Sequence, residues 1–315
     1  MRAVWLTEFG GPEVLVARDT PDPEPGPGQA LIEVAHAGIT FIETQFRATG
    51  TGPFRLAPPL ILGNGVGGVV VAVGDGVDPG LVGTRVVSGT GGSGGYASRA
   101  AVDADGVYPV PDGLALDTAT ALLADGRTAT MLVRTAEPKP GERVLVEAAA
   151  GGVGTLLVQL AKAAGAHVVA AAGGARKLDL ARALGADEAV DYRSPGWPDR
   201  AGSVDVVFDG VGGEVGRAAF ELLPRGGRML RFGLASGSWT SVTEEEAAAR
   251  GVTLVRSTPT QEELRDCTRS ALAEAAAGRL RPVIGQRFGL EQAADAHAAI
   301  ESRATVGKTL LEVAG

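Results

Sequence analysis

Cysteine is almost missing from this chain: Cys267 is the one thiol in 315 residues. A single cysteine excludes an intrachain disulfide framework and a four-cysteine metal lobe. Long apolar runs are missing too. No stretch approaches the roughly 20 residues of a membrane-spanning helix. The opening MRAVWLTEFGGPEVL lacks an apolar core of signal-peptide length. Positive charge is in deficit, with a formal net charge of -8. Sequence-independent nucleic-acid binding rests on clustered Lys and Arg, so an acidic chain is a poor candidate for it. The histidines His36, His167 and His297 are scattered without metal-ligand spacing, and read as strand, strand start and helix surface. The expectation is a soluble, cytoplasmic protein with neither nucleic acid nor membrane as partner.

What is present is ordinary globular composition, 45% hydrophobic and 21% charged, over a length that suits two domains. Arginine outnumbers lysine, and Ala and Gly are abundant. That reads as the coding bias of a GC-rich genome, not as function.

Residues 1–119 read as β-rich. ALIEVAHAGI and VGGVVVAVGDGV are β-branched runs bounded by Gly, Pro and Asp. TPDPEPGPGQ, residues 20–29, is a Pro/Gly loop between strands. SGTGGSGGYAS, residues 88–98, lacks the Gly-Lys-Ser/Thr ending of a P-loop and reads as a surface loop. From about residue 120 strands alternate with helices. RVLVEA precedes the helix GTLLVQLAKAAG, and HVVAAA precedes ARKLDLARALG. EAVDY, SVDVVFDGV, a helix near EVGRAAFELLPRG, GRMLRFG and VTLVRS follow. Such a string of βα units implies a parallel sheet covered by helices on both faces. After the helix QEELRDCTRSALAEAAAGRL, the tail from PVIGQRFG to TLLEV returns to the mixed texture of the first segment. The expected α/β architecture is a doubly wound domain, residues 120–259, inserted into a β-rich domain split between 1–119 and 260–315.

Ala149-Ala150-Gly151-Gly152-Val153-Gly154 is a G-x-G-x-x-G fingerprint with Ala in its first place. It follows a strand, opens a helix and sits in a βαβ unit, which is the context that gives the pattern meaning. Glycine lets the backbone approach a pyrophosphate and lets the helix pack tightly on its strand. The helix N-terminus favours a phosphate. NAD sites usually carry an acid about 20 residues on, bonding the ribose 2′-hydroxyl. Here that strand ends Ala170-Ala171-Ala172-Gly173-Gly174, without an acid. Arg176 and Lys177 follow, and Tyr192-Arg193 end the next strand. Cations without a carboxylate suit a 2′-phosphate, so the cofactor expected is NADPH.

The chain resembles the zinc-independent quinone oxidoreductase branch of the medium-chain dehydrogenase/reductase superfamily. The resemblance is carried by AAAGGVGTLLVQLAKAAGA, ARALGADEAVDYR, VDVVFDGVGG, RFGLASG, ESRATVGKTLL and GITFIET. It spans essentially the whole chain. It implies a Rossmann domain inserted into a split GroES-like catalytic domain, with NADPH in the cleft between them. The implied reaction is reduction of quinones, enones or related conjugated carbonyls, and the implied assembly a homodimer through the edge strand VTLVRS. Zinc-dependent relatives in the superfamily carry Cys after the third strand and a Gly-His-Glu motif. The corresponding places here read AGITFIE and LGNGVGG, with neither Cys nor His, and the Glu place falls at Gly65. No metal is expected.

Without a metal, hydride transfer relies on positioning and on hydrogen-bond donors at the acceptor oxygen. The enolate or phenolate formed is far less basic than an alkoxide, so a strong Lewis acid is not needed. The resemblance implies catalytic places at Thr40, where the family usually has Asn, and at Gln45, where it usually has Tyr. Both departures put the substrate in question. Thr128 matches a position beside the nicotinamide. The cofactor-binding residues expected are Gly151, Gly152, Val153, Gly154, Gly173, Arg176, Lys177 and Tyr192, with Phe232 and Gly233 at the nicotinamide and Arg303 toward the adenosine. The alternatives are a specialised enoyl reductase of a biosynthetic pathway and a catalytically silent NADPH-binding protein.

Overall fold

Six short runs of Val, Leu, Phe and Ala assemble into one sheet. Its order is Glu188–Asp191, His167–Ala172, Arg143–Glu147, Val206–Asp209, Arg228–Arg231, Thr253–Val255. Every pairing in it is parallel. Val144, Leu145, Val146, Val168, Val169, Val207 and Phe208 are all fully buried. That pattern requires cover on both faces, as in doubly wound sheets. The helix Gly152–Ala163 shows how the cover is made. Gly154, Leu157, Val158 and Ala161 are buried at i, i+3, i+4 and i+7, a single stripe facing the sheet. Strand order reverses between Arg143–Glu147 and Val206–Asp209, the switch point where such sheets bind ligands beyond their carboxyl ends.

The computed structural model describes residues 1–52 and 54–313. It divides into two compact units, Asp125–Ala271 and the discontinuous pair Met1–Ala124 with Leu272–Gly315. The parallel sheet belongs to the former, which is therefore an insertion in the latter. The discontinuous unit holds a seven-stranded sheet. Its path runs Ile284–Gly289, Lys308–Glu312, Gln29–Ile39, Gly65–Val73, Arg85–Gly89, Val107–Pro109, and Arg99–Asp103 also pairs with Gln29–Ile39. Its core gathers Ile32, Val34, Phe46, Leu62, Val70 and Leu311. No helix among the described residues is long and apolar enough to cross a membrane.

Two local expectations are corrected. The stretch 88–98 is not a surface loop throughout, because Tyr96 and Ala97 are wholly buried. His297 does not lie on a helix surface either; it is 0% exposed, on the same face of Ala293–Glu301 as the buried Ala293 and Ala296. The two errors have one cause, since the Tyr96 hydroxyl and His297 Nε2 meet at 3.0 Å inside the core. Burial, helped by the Arg47 charge, pushes the imidazole pKa down to about 3.

Candidate cofactor and acceptor site

The glycine turn joins the strand Arg143–Glu147 to the helix Gly152–Ala163. Ala148 takes a left-handed conformation, φ 47°, and its carbonyl accepts from Gly151 N at 2.8 Å. Gly151 is the N-cap, and no side chain caps the helix. The N–H groups of Gly152, Val153 and Gly154 therefore have no intrahelical acceptor, and they carry the positive end of the helix dipole. A Cβ on Gly154 would stand 2.2 Å from the Ala148 oxygen, so glycine here permits close helix–strand packing. A Cβ on Gly152 would stand 2.0 Å from an Asp125 carboxylate oxygen. The constraint at Gly152 thus includes a neighbour within the protein that the turn pattern alone does not reveal.

The next strand ends at Ala172, and Gly173 and Gly174 lead into the helix Ala175–Ala183. Arg176 and Lys177 lie in the first turn of that helix, which has no acidic residue. Cations are disfavoured at the positive end of a helix dipole, so their placement fits an anion bound there. Arg176 is exposed, and Lys177 and Tyr192 are half-buried. The neighbouring strand ends at Asp191, an acid the sequence reading passed over. Its carboxylate accepts from Gly174 N at 3.0 Å and from Arg193 Nε and Nη2 at 3.1 and 2.9 Å. The Arg193 hydrogen bond holds Asp191 down to about 2. The same guanidinium covers the glycine pair: a Cβ on Gly174 would lie 2.7 Å from Arg193 Nη2, and one on Gly173 3.5 Å from the Tyr192 ring. Gly173, Tyr192 and Arg193 are thus brought together, with the acid already neutralised.

Across the switch point, Phe232 N and Gly233 N both donate to the Asp209 carbonyl, at 2.9 and 3.2 Å. A Cβ on Gly233 would fall 2.5 Å from the Gly210 oxygen, so two backbones are pinched together here. Beneath them lies a buried acid pair that the sequence did not reveal. Asp209 accepts from Gly212 N at 2.7 Å and from the Thr240 hydroxyl. Glu147 Oε2 accepts from Val211 N at 3.1 Å, while its Oε1 is buried without a donor. Those surroundings disfavour a negative charge on this carboxyl group. Burial first, and then the Asp209 charge, raise the Glu147 pKa well above its ordinary value. The stabilisation linked to such a raised pKa is complete below the unfolded value. It is lost as pH rises through the folded one. Glu147→Gln keeps the shape of the neutral acid. It is expected to flatten the decline of Tm that calorimetry records as pH rises above the ordinary carboxylate value of 4.5. A decline as steep as in the parent would show that Glu147 is ionised.

Thr40, Gln45 and Arg303 belong to the discontinuous unit. Thr40 is the N-cap of the helix Phe41–Thr49. Its N–H and its hydroxyl both donate to Glu43 Oε2 at 2.6 Å, so its one proton is engaged internally. Glu43 is fully buried; burial raises its pKa, opposed by hydrogen bonds from Thr40. Gln45 is half-buried on the same helix. Arg303 is exposed, with a left-handed φ of 58°, just beyond the helix Ala293–Glu301. Thr128, on the helix Leu116–Ala136, borders a cavity of about 570 Å³ together with Phe232.

Residues 26–112 match the alcohol dehydrogenase GroES-like domain, and residues 184–311 match the zinc-binding dehydrogenase family. The second description implies a metal, but the residues do not fit one. Among the described residues no three His, Cys, Asp or Glu side chains stand together as a ligand set. The quinone oxidoreductase of Salmonella typhimurium is 36% identical over 320 residues, covering 96% of this chain and 97% of that protein. The crystal structure of Escherichia coli quinone oxidoreductase complexed with NADPH gives a TM-score of 0.91 at 32% identity, covering 99% of this chain and 100% of that one. A mycobacterial protein complexed with NADPH gives 0.89 at 35% identity, with 99% of each chain covered. A fold of this kind and resemblance along its full length place the chain in the quinone oxidoreductase branch of the medium-chain dehydrogenase/reductase superfamily.

Proposed function

We propose that this chain binds NADPH and reduces quinones or α,β-unsaturated carbonyls. One observation carries the cofactor reading. The uncapped helix turn at Gly152–Gly154 is followed by two adjacent parallel strands at whose ends Arg176, Lys177 and Arg193 outnumber Asp191. Two family members of this fold hold NADPH, which supports the same reading.

The residues fit the dinucleotide in parts. The N–H groups of Gly152, Val153 and Gly154 would hold the pyrophosphate. Lys177, Arg176 and Tyr192 would hold the 2′-phosphate, and the backbone at Phe232–Gly233 would face the nicotinamide. When bound, the cofactor supplies hydride. The chain's own task is to fix the acceptor and stabilise charge on its oxygen. Thr128 borders the cavity beside Phe232 and would help to position the acceptor there. Thr40 commits its proton to Glu43 and offers lone pairs only, while Gln45 keeps amide donors. The loss of the usual phenol favours, as a second reading, a specialised acceptor over a broad range of free quinones. The strand Thr253–Val255 ends the parallel sheet, and an open strand edge is a template for a second copy of the chain.

The test is NADPH oxidation with a panel of quinones and enones, beside an NADPH titration. Turnover of simple quinones is the expected result. Binding without turnover would leave the specialised acceptor or a silent binder. Lys177→Ala is expected to weaken NADPH about tenfold, the scale of one charge-assisted hydrogen bond, and to leave NADH nearly unchanged. Equal loss for both would mean that the phosphate lies elsewhere.

A further inference from the structure

The cavity of about 570 Å³ lies entirely within the inserted unit, at the carboxyl ends of its last two strands. Its size suits a small organic ligand. Met131, Leu132 and Leu230 give it apolar walls. Arg231 and Arg256 both line it, and they are not equivalent. Arg256 donates through Nε and Nη2 to Glu244 at 3.1 and 2.8 Å, so a carboxylate answers its charge. Among the described residues, half-buried Arg231 donates only to the Thr240 carbonyl, at 3.2 Å, and pairs with no carboxylate. A guanidinium has five donors, so Arg231 has several to spare. A partly desolvated cation over apolar walls gains most from an anion brought by a ligand. The third element is Trp239, which is 51% exposed. A tryptophan that lines a cavity and keeps half its surface accessible offers its ring to a flat conjugated ligand.

We propose that this cavity receives planar conjugated acceptors that carry an anionic group, a carboxylate or sulfonate. The ring lies against Trp239 and the anion meets Arg231. The proposal rests on the reductase reading for the word acceptor, because Thr128 and Phe232 border the same cavity. The binding preference itself does not need turnover.

The experiment therefore has two arms, both on the full chain with NADPH present. In the first, calorimetry compares naphthalene-2-carboxylate with naphthalene-2-carboxamide, neither of which is reduced. The carboxylate is expected to bind about tenfold tighter, which is about 1.4 kcal/mol. Arg231→Gln is expected to level the pair, Arg231→Lys to retain part of the gap, and Trp239→Ala to weaken both probes. In the second arm, kcat/KM for 1,4-naphthoquinone and for its 6-carboxylate is expected to show the same preference and the same loss of it in Arg231→Gln. No carboxylate advantage in the parent protein overturns the proposal, and so does an advantage that survives Arg231→Gln. An Arg231→Gln loss of NADPH affinity equal to the loss of carboxylate affinity also overturns it, because the cavity would then belong to the cofactor. If the probes bind as stated and neither quinone is reduced, the reading as a reductase of simple quinones falls, the specialised acceptor or the silent binder is left, and the cavity stands. If the neutral quinone is reduced without any advantage for the carboxylate, the reverse holds.

Discussion

Gly154→Val is expected to abolish NADPH binding and to lower Tm sharply. The Cβ of any residue there would meet the Ala148 oxygen at 2.2 Å, with the Ala148 carbonyl carbon and Ala149 Cα at 2.9 Å. All three are backbone atoms, so none can swing aside. Ala148 already spends conformational energy on a left-handed φ of 47°, so the turn has little room to relax. Overpacking of this kind costs about 1–3 kcal/mol or more. The helix Gly152–Ala163 must lift from its strand, which also moves the N–H groups that would hold the pyrophosphate. The neighbouring glycines set a graded series. At Gly152 the obstacle is the Asp125 carboxylate, the end of a side chain, which can yield at smaller cost. At Gly151 only the Ala148 oxygen is near, at 3.3 Å, so Gly151→Ala is expected to be mild. Calorimetry and an NADPH titration on the three variants check the order. A Gly154→Val protein that binds NADPH like the parent would show that the cofactor does not sit on this turn.

The alternation of strands and helices was legible because short apolar runs take turns with longer helix-forming stretches, several of them joined by glycines. HVVAAA became the strand His167–Ala172, and ARKLDLARALG became the helix Ala175–Ala183. The long helix Leu116–Ala136 was not legible as one element. Gly126 interrupts it, its threonines weaken the helical signal, and the boundary between units falls at Ala124. The glycine turn could be read from local spacing, because its chemistry is local. What was missed depends on partners distant in sequence. Glu147 looks like a strand-end acid until Asp209, 62 residues on, is placed beside it. His297 looks like a surface residue until Tyr96 meets it in the core. Trp239 carries no motif and Arg231 enters only as the first residue of RFGLASG; they matter because a cavity forms between them and a helix about 100 residues earlier. Buried acids on strands and arginines near the carboxyl ends of parallel strands are the signals that could have drawn attention to them.

Arg193→Ala is expected to turn the coenzyme preference. Arg193 does two things at the strand end: it neutralises Asp191 through Nε and Nη2, two of its three guanidinium nitrogens, and it lies over Gly173 and Gly174. The pair is solvent-accessible, with Arg193 62% and Asp191 21% exposed, so its loss should leave Tm almost unchanged. The electrostatic change at the site is larger than the change in stability. Asp191 stays ionised at neutral pH without Arg193 and keeps its hydrogen bond from Gly174 N. A bare carboxylate beside the ribose repels a 2′-phosphate and accepts a hydrogen bond from a 2′-hydroxyl. NADPH affinity should fall by at least about tenfold, the scale of one charge-assisted hydrogen bond, while NADH affinity holds or rises. The second substitution decides the mechanism. Arg193→Ala with Asp191→Asn removes the exposed charge and should recover part of the NADPH affinity. If Arg193→Ala weakens both coenzymes equally, and Asp191→Asn recovers neither, Arg193 only supports the glycine pair. The preference would then have to come from Arg176, Lys177 and Tyr192 alone.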